Sequence, residues 1–192
     1  MSDRKVAVVT GGGTGIGAAC CRALDEKGFR VGIHYRKSEK EANEILANIT
    51  DGFLIRADLA DVAHVEPFLE VIKEKAGRVD VLVNNAGMSV NADINSMKIE
   101  QFDSQRSVMR GIWYLTKRVI RLFMLRKNSG RIINISSVVG HTGNAGQIPY
   151  TMEKAALDAF TKSLAKELKG RDILVNSVAP GFIDTEMTAE LP

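Results

Sequence analysis

Nowhere in these 192 residues does an apolar run reach the roughly 18 positions that a helix needs to cross a bilayer, so no membrane span is expected. Cysteine is scarce: Cys20 and Cys21 are the only two, and they are adjacent. Helical neighbours point to different faces, and so close a pair is not a usual staple. Both are therefore expected as buried or half-buried free thiols of a cytosolic chain, in preference to a redox pair. An excess of one charge is also lacking. The net charge is +3, with basic and acidic residues mixed along the chain, so the clustered basic face of a nucleic-acid binder is absent. The three histidines, His34, His64 and His141, show no metal-ligand spacing, and no metal is expected. The apolar run after Met1-Ser2-Asp3-Arg4-Lys5 is too short for a signal peptide and has no cleavage site, which places the expected location in the cytoplasm. No linker, repeat or low-complexity segment divides the chain, and its length suits one domain over 1–192.

What the chain has is alternation. Short apolar runs rich in β-branched residues occur at 5–10 (KVAVVT), 30–35 (RVGIHY), 52–57 (GFLIRA), 79–84 (VDVLVN), 131–136 (RIINIS) and 173–178 (ILVNSV). They are apolar on both faces, as strands between two helix layers must be. Helical patterns fall between them at 16–27, 39–49, 62–76, 99–126 and 150–169. Ser38 with Glu41 fits a capping box before the second helix, while Gly28 and Gly170 follow the first and last. Strand–helix alternation along the whole chain predicts a parallel sheet with right-handed crossovers. The fold class is α/β, a doubly wound Rossmann fold in three layers whose ligands bind at the carboxyl ends of the strands.

The first strand ends in Thr10-Gly11-Gly12-Gly13-Thr14-Gly15-Ile16-Gly17. Glycines here allow a tight turn and a close approach of phosphate to backbone, and the helix that follows offers free amides and the positive end of its dipole. The context is the one a dinucleotide site requires: first strand, first helix, and a second strand ending 18 residues after Gly17. The overlapping spacing Gly13-x-Gly15-x-x-Ala18 fits the same fingerprint. The second strand closes on His34-Tyr35-Arg36-Lys37. An acid there would hold the ribose 2′-hydroxyl of NAD; the chain instead has Arg36, whose planar fork suits a 2′-phosphate, so NADPH/NADP is favoured over NAD.

The 10–17 segment resembles the TGxxxGxG motif of the short-chain dehydrogenase/reductase family, and further matches follow in the family's order. Asn84-Asn85-Ala86-Gly87 is similar to its NNAG motif, Tyr150-Thr151-Met152-Glu153-Lys154 to its YxxxK, and Pro180-Gly181 to its PG loop. Ser137 stands 13 residues before Tyr150, the family's spacing for a catalytic serine. The resemblance covers the whole chain. It implies that Gly11, Gly13, Thr14, Gly15, Ile16 and Gly17 cradle the cofactor's phosphates, that Arg36 takes the 2′-phosphate, and that Asp58 and Leu59 meet the adenine. Asn85, Ala86 and Gly87 would line the ribose and nicotinamide side, with Pro180, Gly181, Ile183 and Thr185 beside the carboxamide. Tyr150 and Lys154 are four apart on a predicted helix and so share a face, with Pro149 fitting its first turn. The resemblance assigns Tyr150 as general acid in ketone reduction, Lys154 as the cation that lowers its pKa and holds the ribose, and Ser137 as hydrogen-bond donor to the carbonyl oxygen.

Two departures accompany the match. The family's helix asparagine, in an N-x-x-G segment, corresponds here to Val108, counted back from Gly111, and the stretch around Met109 is one residue short. Valine cannot hold a relay water. Family members also run about 50 residues past the position of Pro192, which leaves the sixth strand as an exposed edge and removes part of the substrate lid. Within the family, residues 136–147 and 179–188 look most like 3-oxoacyl-acyl-carrier-protein reductases and acetoacetyl-CoA reductases. That implies an acyl-carrier-protein-linked or small-molecule ketone, and a homotetramer or homodimer built through the long fourth helix, a use that explains its apolar side better than a membrane surface does. Arg126, Lys127 and Arg171 are candidates to steer an acidic carrier, or else ordinary solvated charges. The alternatives are a reductase or dehydrogenase of another ketone or alcohol, and a cofactor-binding scaffold with little turnover.

Overall fold

The computed structural model of the chain describes residues 4–185; the last residues of the 179–188 segment, and Pro192, lie outside them. Six strands form one parallel sheet: β1 (Val6–Val9), β2 (Arg30–Tyr35), β3 (Gly52–Arg56), β4 (Val81–Asn84), β5 (Ser129–Ile135) and β6 (Asp172–Val178). Their order is β3-β2-β1-β4-β5-β6, so the chain winds one way from β1 and then the other. The reversal lies between β1 and β4, where a doubly wound sheet opens a crevice at its carboxyl ends.

The period of two in β1 shows how one strand serves two cores. Val6 and Val8 face a layer with Phe68, Leu69, Leu82, Leu115 and Ile132. Ala7 and Val9 face the other, with Cys21, Ile33, Ala42 and Val83. The helices α1 (Gly15–Glu26) and α2 (Glu39–Ala47) cover that second face, while α3 (Val65–Lys75) and α4 (Ile99–Val119) cover the first. Cys21 is buried and Cys20 half-buried, both as free thiols. None of the described helices is long and apolar enough to cross a membrane.

Several expected boundaries shift for identifiable reasons. The third helix begins as a 3-10 turn, Val62–His64, because Asp61 caps Ala63 with its side chain. The fourth ends its α geometry at Val119 and continues as one π turn, Ile120–Met124. Ser38 occupies the N-cap of α2 but makes no capping hydrogen bond, so the expected box with Glu41 does not form. Its hydroxyl instead lies against Gly13, where an added Cβ would stand 2.9 Å from Oγ. A short helix α5 (Val139–Thr142) follows β5 and was not expected; the last helix, α6 (Ile148–Glu167), starts two residues early with Pro149 in its first turn.

Candidate active site

A cleft of about 590 Å³ opens at the carboxyl ends of the strands. Its floor is the turn from β1 into α1. Thr10 holds this turn to β4: its hydroxyl accepts the amides of Asn85 and Ala86 at 2.9 and 3.0 Å. Asn85 answers through Nδ2, which donates to the carbonyls of Thr10 and Gly11, each at 3.0 Å. Gly11 turns at φ +63° and Gly15 at +49°, conformations that glycine enters without penalty. Thr14, the N-cap of α1, makes no capping hydrogen bond, so its hydroxyl does not compete with a ligand for the first-turn amides. Thr14, Gly15 and Ile16 line the cleft, while Gly13 and Gly17 are not among its lining residues. Gly17 instead permits close packing, since a Cβ there would meet the Gly11 carbonyl oxygen at 2.0 Å.

The end of the cleft beside β2 and β3 carries Arg36, Lys37, Asp58 and Leu59 on its wall. The sequence places no carboxylate at the end of β2, but the fold brings Asp58 from β3 to within 3.8 Å of the Arg36 guanidinium. An exposed pair at this distance is worth little, so the fork stays available to an anion. Asp58 is held by its own turn, accepting the Ala60 amide at 3.0 Å.

His34 is an unanticipated part of the site. It is 3% exposed, yet its ring joins two loops. Nδ1 accepts the Gly11 amide at 3.0 Å, and Nε2 lies 3.1 Å from the Ala57 carbonyl oxygen. The amide can only donate, so Nδ1 is bare and Nε2 carries the proton. Burial drives the imidazole pKa from 6.5 down to about 4, against smaller opposing effects of the Ala57 bond and the Asp58 charge. Unfolded chain takes up this proton near pH 6.5, and the native protein resists it until about pH 4. Stability is therefore full above the upper value and lost as pH falls through the window, by about 3 kcal/mol from this group. Urea midpoints measured between pH 7 and pH 4 should fall accordingly; a flat series would contradict a neutral buried imidazole.

At the opposite end, Ser137, Tyr150 and Lys154 come together on the cleft wall. Ser137 hydrogen-bonds the Tyr150 phenol. Lys154 is 9% exposed; its Nζ lies 5.5 Å from the Tyr150 ring centroid and donates to the Ile135 carbonyl at 2.7 Å. Burial lowers the Lys154 pKa to about 8, opposed by Asp158 and then Glu153. The expectation that Lys154 depresses the Tyr150 pKa is corrected. Burial pushes the phenol up and the Ser137 bond pulls it down in part, with burial the larger effect. Pro180 accepts the Val138 amide at 3.0 Å, tying the PG loop to the serine loop. Thr185 lies over the glycine turn, 3.2 Å from where a Gly15 Cβ would stand. Asn85, Ala86, Gly87, Gly181 and Ile183 complete this wall.

Val108 also lines the cleft, so the position matched to the family asparagine faces the site with an apolar side chain. Gln147, 6% exposed, also lines the cleft, where it donates to Ser89 and Asn91. Arg126, Lys127 and Arg171 precede β5 and β6, at the sheet edge opposite the cleft, and Lys127 is bound to Asp80 at 2.7 Å. They do not flank the pocket of their own chain as expected.

A family model described as short chain dehydrogenase matches residues 5–192. A 3-oxoacyl-[acyl-carrier-protein] reductase of Synechocystis sp. is 42% identical over 192 residues, covering 97% of this chain and 77% of the relative. The reductase of the same description from Haemophilus influenzae is 45% identical over 189 residues, with the same shares covered. Among solved structures, a variant of actinorhodin polyketide ketoreductase with NADPH matches at a TM-score of 0.93 and 33% identity, over 98% of this chain and 74% of that one.

Proposed function

This chain belongs to the short-chain dehydrogenase family, and from that premise we propose that it reduces a 3-oxoacyl thioester, linked to acyl-carrier protein or CoA, to the 3-hydroxyacyl form at the expense of NADPH. The observation that carries the reading is the meeting of Ser137, Tyr150 and Lys154 at one end of a cleft whose other end offers Arg36. The glycine turn, the first-turn amides of α1 and the Arg36 fork fit the phosphates of the dinucleotide, and NADPH when bound supplies the hydride. Ser137 orients the ketone oxygen, and Tyr150 gives it the phenolic proton as negative charge develops there. A phenol whose pKa burial holds up keeps that proton at neutral pH, which suits reduction. Lys154, beside Gly87, is placed to grip the ribose: a Cβ on Gly87 would stand 3.8 Å from its Nζ.

Residues 1–192 act as one NAD(P)-binding domain in this reading, in the cytoplasm and as a homodimer or homotetramer. Val108 favours a slower variant of the same chemistry, because no side-chain amide or hydroxyl stands at that point to hold a relay water. The test is NADPH oxidation with acetoacetyl-CoA and with acyl-carrier-protein-bound acetoacetate against small free ketones. Turnover should favour the thioesters, and Arg36→Ala should weaken NADPH binding about tenfold or more while leaving NADH nearly unchanged. Activity confined to free ketones would reject the thioester, and equal losses for the two cofactors would reject the role of Arg36.

A further inference from the structure

We infer that His34 is the positioning residue of the cofactor's phosphate-binding turn, acting through the Gly11 amide; the inference rests on the reading of the cleft as an NADPH site. The Cys21 thiol donates to the Gly12 carbonyl at 3.6 Å from the α1 side. Asn85 fixes the carbonyls of Thr10 and Gly11 from the β4 side. From the β2 side the Gly12 amide donates to the His34 carbonyl at 2.8 Å, and the Gly11 amide donates to the His34 ring at 3.0 Å. One residue thus accepts two consecutive amides of the turn, one through its backbone and one through its side chain.

The side-chain bond matters because of where Gly11 sits. Its carbonyl stands under Gly17, so close that only glycine fits there, and its φ of +63° aims the peptide that leads into the turn. A rotation of Gly11 therefore moves α1's first turn, which lines the cleft at Gly15 and Ile16. The other end of the ring is anchored on Ala57 at 3.1 Å, directly before Asp58. The imidazole is a rigid spacer between the turn under the pyrophosphate and the loop at the adenine end. Its fixed tautomer makes the near nitrogen an acceptor and the far one a donor. This chemistry needs a five-membered ring or a pair of separate groups, and it predicts which half of the ring serves the cofactor.

Two isosteric variants divide the halves. H34N keeps an acceptor near the Nδ1 position and loses the Ala57 bond, while H34Q keeps a donor near the Nε2 position and loses the Gly11 bond. H34Q is expected to raise KM for NADPH and for NADH by the same factor, about tenfold, with kcat within about twofold, as befits one hydrogen bond under a group common to both cofactors. H34N should bind both within about threefold of the parent, although it is the less stable of the two in thermal unfolding. A purely structural residue would make affinity follow stability; the inference requires the two orders to cross. Equal KM values for H34Q and the parent, or a loss in H34N as large as in H34Q, would overturn it. If H34Q does not fold, H34L, which lacks both bonds, takes its place against H34N under the same criterion. Fluorescence titration of the parent with NADPH separates the two levels. A parent that binds no NADPH overturns the cofactor reading and this inference with it, whereas a parent that binds as tightly as H34Q overturns this inference alone.

Discussion

Tyr150→Phe should lower kcat for ketone reduction by about 10² to 10⁴, the range expected for loss of a positioned general acid, while NADPH affinity stays within a few-fold of the parent. The fold brings the phenol into hydrogen-bond contact with the Ser137 hydroxyl. Removing the oxygen leaves the ring's packing against Lys154 in place, so the variant should fold and bind cofactor normally. Stopped-flow mixing of the NADPH complex with acetoacetyl-CoA isolates the chemical step from product release. A single-turnover rate within threefold of the parent would remove Tyr150 from the proton transfer. A parallel loss of NADPH affinity would assign the phenol to binding instead.

The sheet was readable because each strand is marked twice, by an apolar run and by the glycine or helix pattern after it. The alternation of strands and helices then left the doubly wound order as the natural arrangement, and the six strands fall where the apolar runs predict them, within a few residues. Site residues named by motif were readable too, since the TGxxxGxG, NNAG and YxxxK segments each carry their spacing in one stretch of chain. What escaped were contacts between stretches. His34 faces Gly11 because β2 runs parallel to β1 with Val9 opposite Ile33, a register that composition does not state. Asp58 meets Arg36 because β3 adds to β2 with Arg56 opposite Tyr35, which brings the two strand ends side by side. The Tyr150 pKa was misjudged for a related reason. Helical spacing puts Lys154 on the correct face, but it does not state how deeply the phenol is buried, and burial is what raises its pKa. The basic residues before β5 and β6 looked like neighbours of the pocket until the strand direction set them at the other edge of the sheet.

Gly111→Ala reverses what helix propensity alone predicts. Gly111 lies inside the α4 helix, where alanine ordinarily stabilises by about 1 kcal/mol. Here an added Cβ would stand 1.7 Å from the Leu59 carbonyl oxygen and 2.8 Å from its carbonyl carbon. Both obstacles are backbone, so no side-chain rotation relieves them; α4 must move outward or the 57–61 loop must retreat. Either shift strips packing from Leu115 and Leu59, which are buried in the same core. Overpacking of this kind costs about 1–3 kcal/mol where neighbours yield, and a backbone collision belongs at or above the upper end. The expected result is a loss of about 3 kcal/mol or more in urea unfolding. Because Leu59 also lines the cleft beside Asp58, NADPH affinity should fall in whatever fraction folds. Gly111→Ser should be at least as damaging, since it adds an oxygen to the same clash. A G111A protein equal to or more stable than the parent would show that α4 does not rest on the Leu59 carbonyl, and the placement of Val108 on the cleft wall, one turn earlier on that helix, would fall with it.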